Sequence, residues 1–125
     1  MSVDVEAFYT YENLHTQLTE AIDEASQECA FDHNASLQEI CLEYFEMPIE
    51  KLADILIQEI FDDYDYKINK NFILKYCAQI AKLEIEAYAK QAEFLKAYNL
   101  IDEAKQAEMK LEINKAIVQS ANSLI

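Results

Sequence analysis

The chain contains no glycine, no arginine and no tryptophan, and Pro48 is its single proline. Each absence excludes something. Without glycine there is no Asn-Gly or Asp-Gly hairpin turn, no phosphate-cradling glycine loop and no Gly-x-Ser-x-Gly nucleophile elbow. The glycine that commonly ends a helix in the left-handed region must be replaced by another residue. Without arginine, the Arg and His sets of helical ribonuclease-type sites are missing. No run of 18 apolar residues is present, so no transmembrane helix is expected. The opening Met-Ser-Val-Asp-Val-Glu has neither a basic region nor an apolar core, and no signal peptide is expected. An all-α fold suits this composition best.

What is present is apolar and acidic. Of the 125 residues, 52% are hydrophobic, which is enough for one domain with a real core. The formal net charge is −14. Its distribution is uneven: residues 1–66 hold 17 Asp and Glu against Lys51 alone, whereas residues 67–125 hold 7 against 9 lysines. We therefore read a single helical domain, 1–125, with an acidic N-terminal half and a charge-balanced C-terminal half. The acidic half places Glu20 with Glu24, Glu24 with Glu28, Glu39 with Glu43 and Glu50 with Asp54 at i,i+4. Each such pair costs a few tenths of a kcal/mol. In the second half the signs alternate instead, with Lys82 and Glu86, Glu86 and Lys90, Glu93 and Lys96, and Glu112 and Lys115 at attractive spacings.

Apolar periodicity predicts five helices. The first covers about 11–30, with Leu14, Leu18, Ala21, Ile22, Ala25 and Cys29 on one face and Phe8, Tyr9 and Tyr11 in a leading turn. Ser36 and Glu39 form a capping-box pattern before a second stripe of Leu37, Ile40, Cys41, Tyr44 and Phe45. Met47-Pro48 ends that helix, because proline cannot continue it. A third spans about 48–61 with Ile49, Leu52, Ala53, Leu56, Ile57, Ile60 and Phe61 inward, and residues 62–66 make a loop. A long fourth helix covers about 69–98, its core residues being Ile73, Cys77, Ile80, Ala81, Ala87, Tyr88, Phe94 and Leu95. Asn99 is its expected left-handed terminator. A fifth covers about 100–121, with Ala104, Ala107, Leu111, Ile117 and Val118 inward and a frayed end beyond. Cys29, Cys41 and Cys77 lie on apolar stripes with no Cys-x-x-Cys spacing, which reads as buried, reduced thiols in the cytoplasm.

Catalytic and metal motifs are weak. Glu12 and His15 match Glu-x-x-His once, but a di-iron bundle needs two copies. Asp63-x-Asp65-x-Lys67 opens like a calcium loop, yet Ile68 stands where glycine is required and Leu74 where the bidentate glutamate belongs. No catalytic residue, metal ligand or cofactor is expected, and the chain does not read as an enzyme. The lysines are interleaved with glutamate and give no basic patch, so direct nucleic-acid binding is not expected either.

The charge split points instead to a protein partner. The expected function is that of a small acidic inhibitor that neutralises a basic protein, such as an immunity protein or antitoxin against a nuclease toxin. The expected binding residues are Glu43, Glu46, Glu50, Asp54, Asp62, Asp63 and Asp65, with Tyr64 and Tyr66 as aromatic anchors. Two alternatives share the data. One is a DNA mimic that blocks a restriction or phage-defence nuclease, which needs carboxylates in a long double row. The other is a structural, oligomerising subunit, a homodimer through the long fourth and fifth helices.

Overall fold

A computed structural model describes residues 2–27, 29, 34–62 and 70–125, with the backbone alone for residues 2–10 and 61. Among these residues there are five helices and no strand: α1 (Ser2–Gln27), α2 (Leu37–Phe45), α3 (Ile49–Asp62), α4 (Lys70–Ala97) and α5 (Ile101–Leu124). The all-α bundle with two long C-terminal helices is the fold. The helix breaks lie close to where the residues placed them, and the two outer ends differ. α1 begins at Ser2, so Phe8 and Tyr9 belong to the helix itself rather than to a separate leading turn. α5 continues to Leu124, and Ile125 N donates to Ala121 O at 3.2 Å, so the segment expected to fray is helical.

Local chemistry explains the breaks. Ser36 Oγ accepts from Glu39 N at 3.2 Å and caps α2. Only this half of the expected capping box forms. Helix α2 ends with Glu46 in the left-handed region at φ 57°. Pro48 precedes α3 and accepts from both Lys51 N and Leu52 N at 3.1 Å. The orphan N–H of Ile49 is taken at 3.0 Å by the side-chain oxygen of Gln38, which ties α2 to α3. At the α4–α5 turn Asn99 has φ 60°. Its N–H reaches Lys96 O at 3.0 Å, and Leu100 N reaches Leu95 O at 2.9 Å. This is the Schellman pair of bonds, with asparagine doing what glycine usually does.

The α4–α5 hairpin is the largest helix contact, and α3 packs next most extensively, against α5. α1 lies over the hairpin and also touches α3, while short α2 sits on α3. α1 runs along α4 in the same direction: Tyr11 meets Tyr76 edge-on at 5.3 Å, and His15 Nε2 lies 3.5 Å from Glu84 Oε1. One core joins all five helices through Leu14, Leu18, Ile40, Ile57, Leu74, Ile80, Ile113 and Ile117. Each such side chain, fully buried, stabilises by about 1.5–3 kcal/mol. Cys29, Cys41 and Cys77 are all buried.

Three expected core residues face water instead. Tyr44 is 41% exposed, Phe94 is 60% exposed and Ala87 is exposed as well. In the second half of α4 the sequence offers two continuations of the stripe, through 87 and 94 or through 88, 92 and 95. α5 covers the latter, where Ala92 is fully buried and Tyr88 and Leu95 are half-buried. Conversely, Met109 and Ile113 are buried although the single stripe read along α5 omits them. α5 is flanked by α4, α3 and α1, so its buried arc is wider than one stripe.

Candidate partner-binding face

Three of the expected acidic residues form a line on α3. Glu50, Asp54 and Asp62 recur at multiples of four with Gln58 between them, and all four are exposed. Each four-residue step rises about 6 Å and turns about 40° further. Glu50, Asp54 and Gln58 therefore border a groove between α3 and α5, whereas Asp62, about 120° round α3 from Glu50, does not line it. Neutral donors hold these carboxylates. Gln38 Nε2 donates to both oxygens of Glu50 at 3.1 Å. Ser120 Oγ of α5 donates to Asp54 Oδ1, and Gln58 Nε2 lies 3.4 Å from Asp62 Oδ1. Among the described residues none of the three pairs with a lysine. The hydrogen bonds fix the positions of the carboxylates and leave their charge unneutralised.

Beside this line runs a groove between α3 and α5. Its first part, about 370 Å³, is lined by Ser36, Gln38, Glu50, Glu112, Lys115 and Gln119 among others. Its second part, about 500 Å³, is lined by Asp54, Gln58, Gln119, Ser120, Ser123 and Leu124. Glu50, Ala116 and Gln119 border both parts, so the two are continuous. One wall is acidic. The other is polar and small, and it ends at Leu124, which is 54% exposed. Lys115 lies 3.3 Å from Glu112 on α5, so this lysine is already neutralised by its neighbour.

The remaining expected residues are not brought to this groove in the same way. Glu43 and Glu46 are exposed on α2 and at its end. Glu43 stands about 140° round α2 from Gln38, the α2 residue that supports Glu50. Asp63, Tyr64, Asp65 and Tyr66 lie outside the described residues. Charge counting missed Gln38, Gln119, Ser120 and Ser123, which are neutral. A signal for the last three was present: after Lys115 the charges of α5 stop, and Gln119, Ser120 and Ser123 leave an uncharged polar strip at its end.

Elsewhere three lysines of the second half are engaged within the fold. Lys110 Nζ lies 2.7 Å from Asp23 Oδ1 on α1, and Lys96 Nζ lies 2.5 Å from Glu108 Oε1 on α5. Lys105 Nζ donates to Ala35 O at 2.8 Å. His15 turns to Glu84, not to a shared ligand site with Glu12. Among the described residues no helix is long and apolar enough to cross a membrane. No protein-family model, characterised protein or solved structure matches the chain.

Proposed function

We propose that this chain is a binding protein, not an enzyme, and that it holds a basic protein partner in the groove between α3 and α5. The observation that carries this reading is the α3 line of Glu50, Asp54 and Asp62. Its carboxylates are held by neutral donors and have no lysine partner among the described residues, while several lysines of the second half are engaged within the fold. A partner would lay lysine or arginine side chains along this wall and an apolar residue against Leu124. The basic cleft of a nuclease toxin has this character, so immunity protein or antitoxin is the specific form of the proposal. Complementary fields speed such encounters and suppress wrong partners. The chain would act in the cytoplasm, where its three buried thiols stay reduced.

The geometry supports the mimicry alternative less well. A nucleic-acid mimic needs two regular acidic rows. Across the groove from the α3 line stand Gln119, Ser120, Ser123 and the Glu112–Lys115 pair, not a second acidic row.

The test compares the native protein with a variant carrying Glu50→Gln, Asp54→Asn and Asp62→Asn, which keep hydrogen-bonding capacity and remove charge. Each is used to capture proteins from lysate at low and at 0.5 M salt. We expect a basic protein to be retained at low salt by the native chain only, with the helical spectrum equal in both. Equal capture by the neutralised variant would sink the proposal.

A further inference from the structure

The solvent face of α4 carries a line of apolar side chains that no described residue covers. Leu83 is 61% exposed, Phe94 60% and Tyr98, in the turn that follows, 66%. Ala87 is exposed between them. Leu83 and Phe94 are eleven residues apart, as are Ala87 and Tyr98. Eleven residues make three turns of a helix to within a few degrees per turn, so the stripe runs nearly straight. The Phe94 and Tyr98 rings lie against each other at 4.7 Å, which enlarges one end of it. Large apolar side chains exposed along one helix face, with Lys90 between them, suit an interaction surface of mixed apolar and charged character.

The charges beside the stripe specify the occupant. Lys82, Glu86, Lys90 and Glu93 follow one another along this face with alternating sign, and all four are exposed. The sequence spacing suits ion pairs within the helix, yet among the described residues none of the four forms one. Lys96, three residues from Glu93, is drawn to Glu108 instead. A row that reads plus, minus, plus, minus is complementary to itself when reversed. Laid antiparallel on a second copy, Lys82 faces Glu93 and Glu86 faces Lys90. Nearly the same register, within one residue, sets Leu83 against Phe94 on both sides of a two-fold axis near position 88, with Ala87 and Lys90 flanking it on the exposed face. The small side chain of Ala87 lets the two helices approach closely.

We infer that the exposed face of α4 is an antiparallel homodimer contact between two copies of this chain. It is separate from the acidic groove and does not depend on it. A contact built on one helix lies at the small end of stable interfaces, about 1,200 Å² in total. The dimer is therefore concentration-dependent, not obligate.

Charge inversion tests the inference, because every substituted position is exposed and makes no ion pair among the described residues. A variant with Lys82→Glu and Lys90→Glu has four acids in the row. A variant with Glu86→Lys and Glu93→Lys has four lysines. A third variant carries all four changes and reads minus, plus, minus, plus. Sedimentation velocity over a range of concentrations reads the outcome, with circular dichroism as a check of folding. The native chain should dimerise. Each half-inverted variant should lose at least about a hundredfold in self-affinity, because like charges now oppose one another. The fully inverted variant should dimerise again, and the two half-inverted variants, when mixed, should form a heterodimer. A native chain that stays monomeric at every concentration overturns the inference. So does a dimer that the half inversions leave intact, which would place the contact elsewhere, or a mixture that remains monomeric.

Discussion

Lys110 Nζ on α5 sits 2.7 Å from Asp23 Oδ1 on α1 and 5.4 Å from the centre of the Tyr88 ring on α4. One ammonium thus joins three helices and links the acidic half of the chain to the balanced half. Only 18% of the Lys110 side chain is exposed, against 45% for Asp23. The pair lies between a surface bridge, worth little, and a buried one whose disruption leaves an uncompensated charge.

Lys110→Met should therefore destabilise the fold by about 1–2 kcal/mol, between the surface and the buried limits. Asp23→Asn in the same background should cost much less than it does alone. A double-mutant cycle by urea unfolding checks this. Additive effects would show that the two groups do not couple.

The phenol of Tyr88 is pushed up to about 12 by its burial, then by Glu84 and Asp23, all of which oppose a phenolate. In the unfolded chain it titrates near 10. The folded state then holds more protons than the unfolded state between those values, so stability must fall as pH rises through them. We expect a decline in unfolding free energy from about pH 10 to about pH 12. Its Tyr88 share should vanish in Tyr88→Phe, and a variant with the same pH slope would show that Tyr88 ionises freely.

Burial pushes the Cys77 thiol up to about 11. Cys41 is raised as well, by burial and then by the Glu50 carboxylate. The thiolate is the reacting species, so both should label slowly with iodoacetamide at neutral pH. Urea should speed labelling greatly. Fast stoichiometric labelling of Cys77 in the folded protein would contradict its buried position.

Asn114 is fully buried, and its Nδ2 donates to Lys110 O at 2.8 Å. Among the described residues its Oδ1 accepts nothing. Replacing such a group by an apolar side chain of similar size is often neutral or stabilising. Asn114→Leu should leave the melting temperature unchanged or raise it. A fall of several degrees would mean that the amide oxygen has a partner.

Glu46 holds a left-handed conformation that costs a side-chain-bearing residue about 1 kcal/mol. Glu46→Gly should stabilise the protein by about 0.5–1 kcal/mol by removing that strain. Thermal unfolding of the single variant is the measurement, and a loss of stability would show that the Glu46 side chain makes a contact the fold needs.

The helices were legible in the residues alone, because their bonds are local. Apolar spacing at three and four residues, Ser36 before α2, Pro48 before α3 and Asn99 after α4 act within one turn, and each appears where the residues put it. The burial of Cys29, Cys41 and Cys77 followed from the same periodicity. The tertiary structure decided which arc of each helix is covered and which charges meet. Phe94 and Ala87 satisfy the spacing of a core stripe, yet α5 packs on the neighbouring arc through Ala92. Lys96 had Glu93 at local reach and went to Glu108, and Lys110 crossed to Asp23. The binding face shows the same division. Glu50, Asp54 and Asp62 were legible as acids at helical spacing, whereas Gln38 and Ser120, which orient the first two, were not. Helix formation depends on residues four apart, but coverage and ion pairing depend on chain segments up to 87 positions away, as from Asp23 to Lys110. No window of sequence contains both partners.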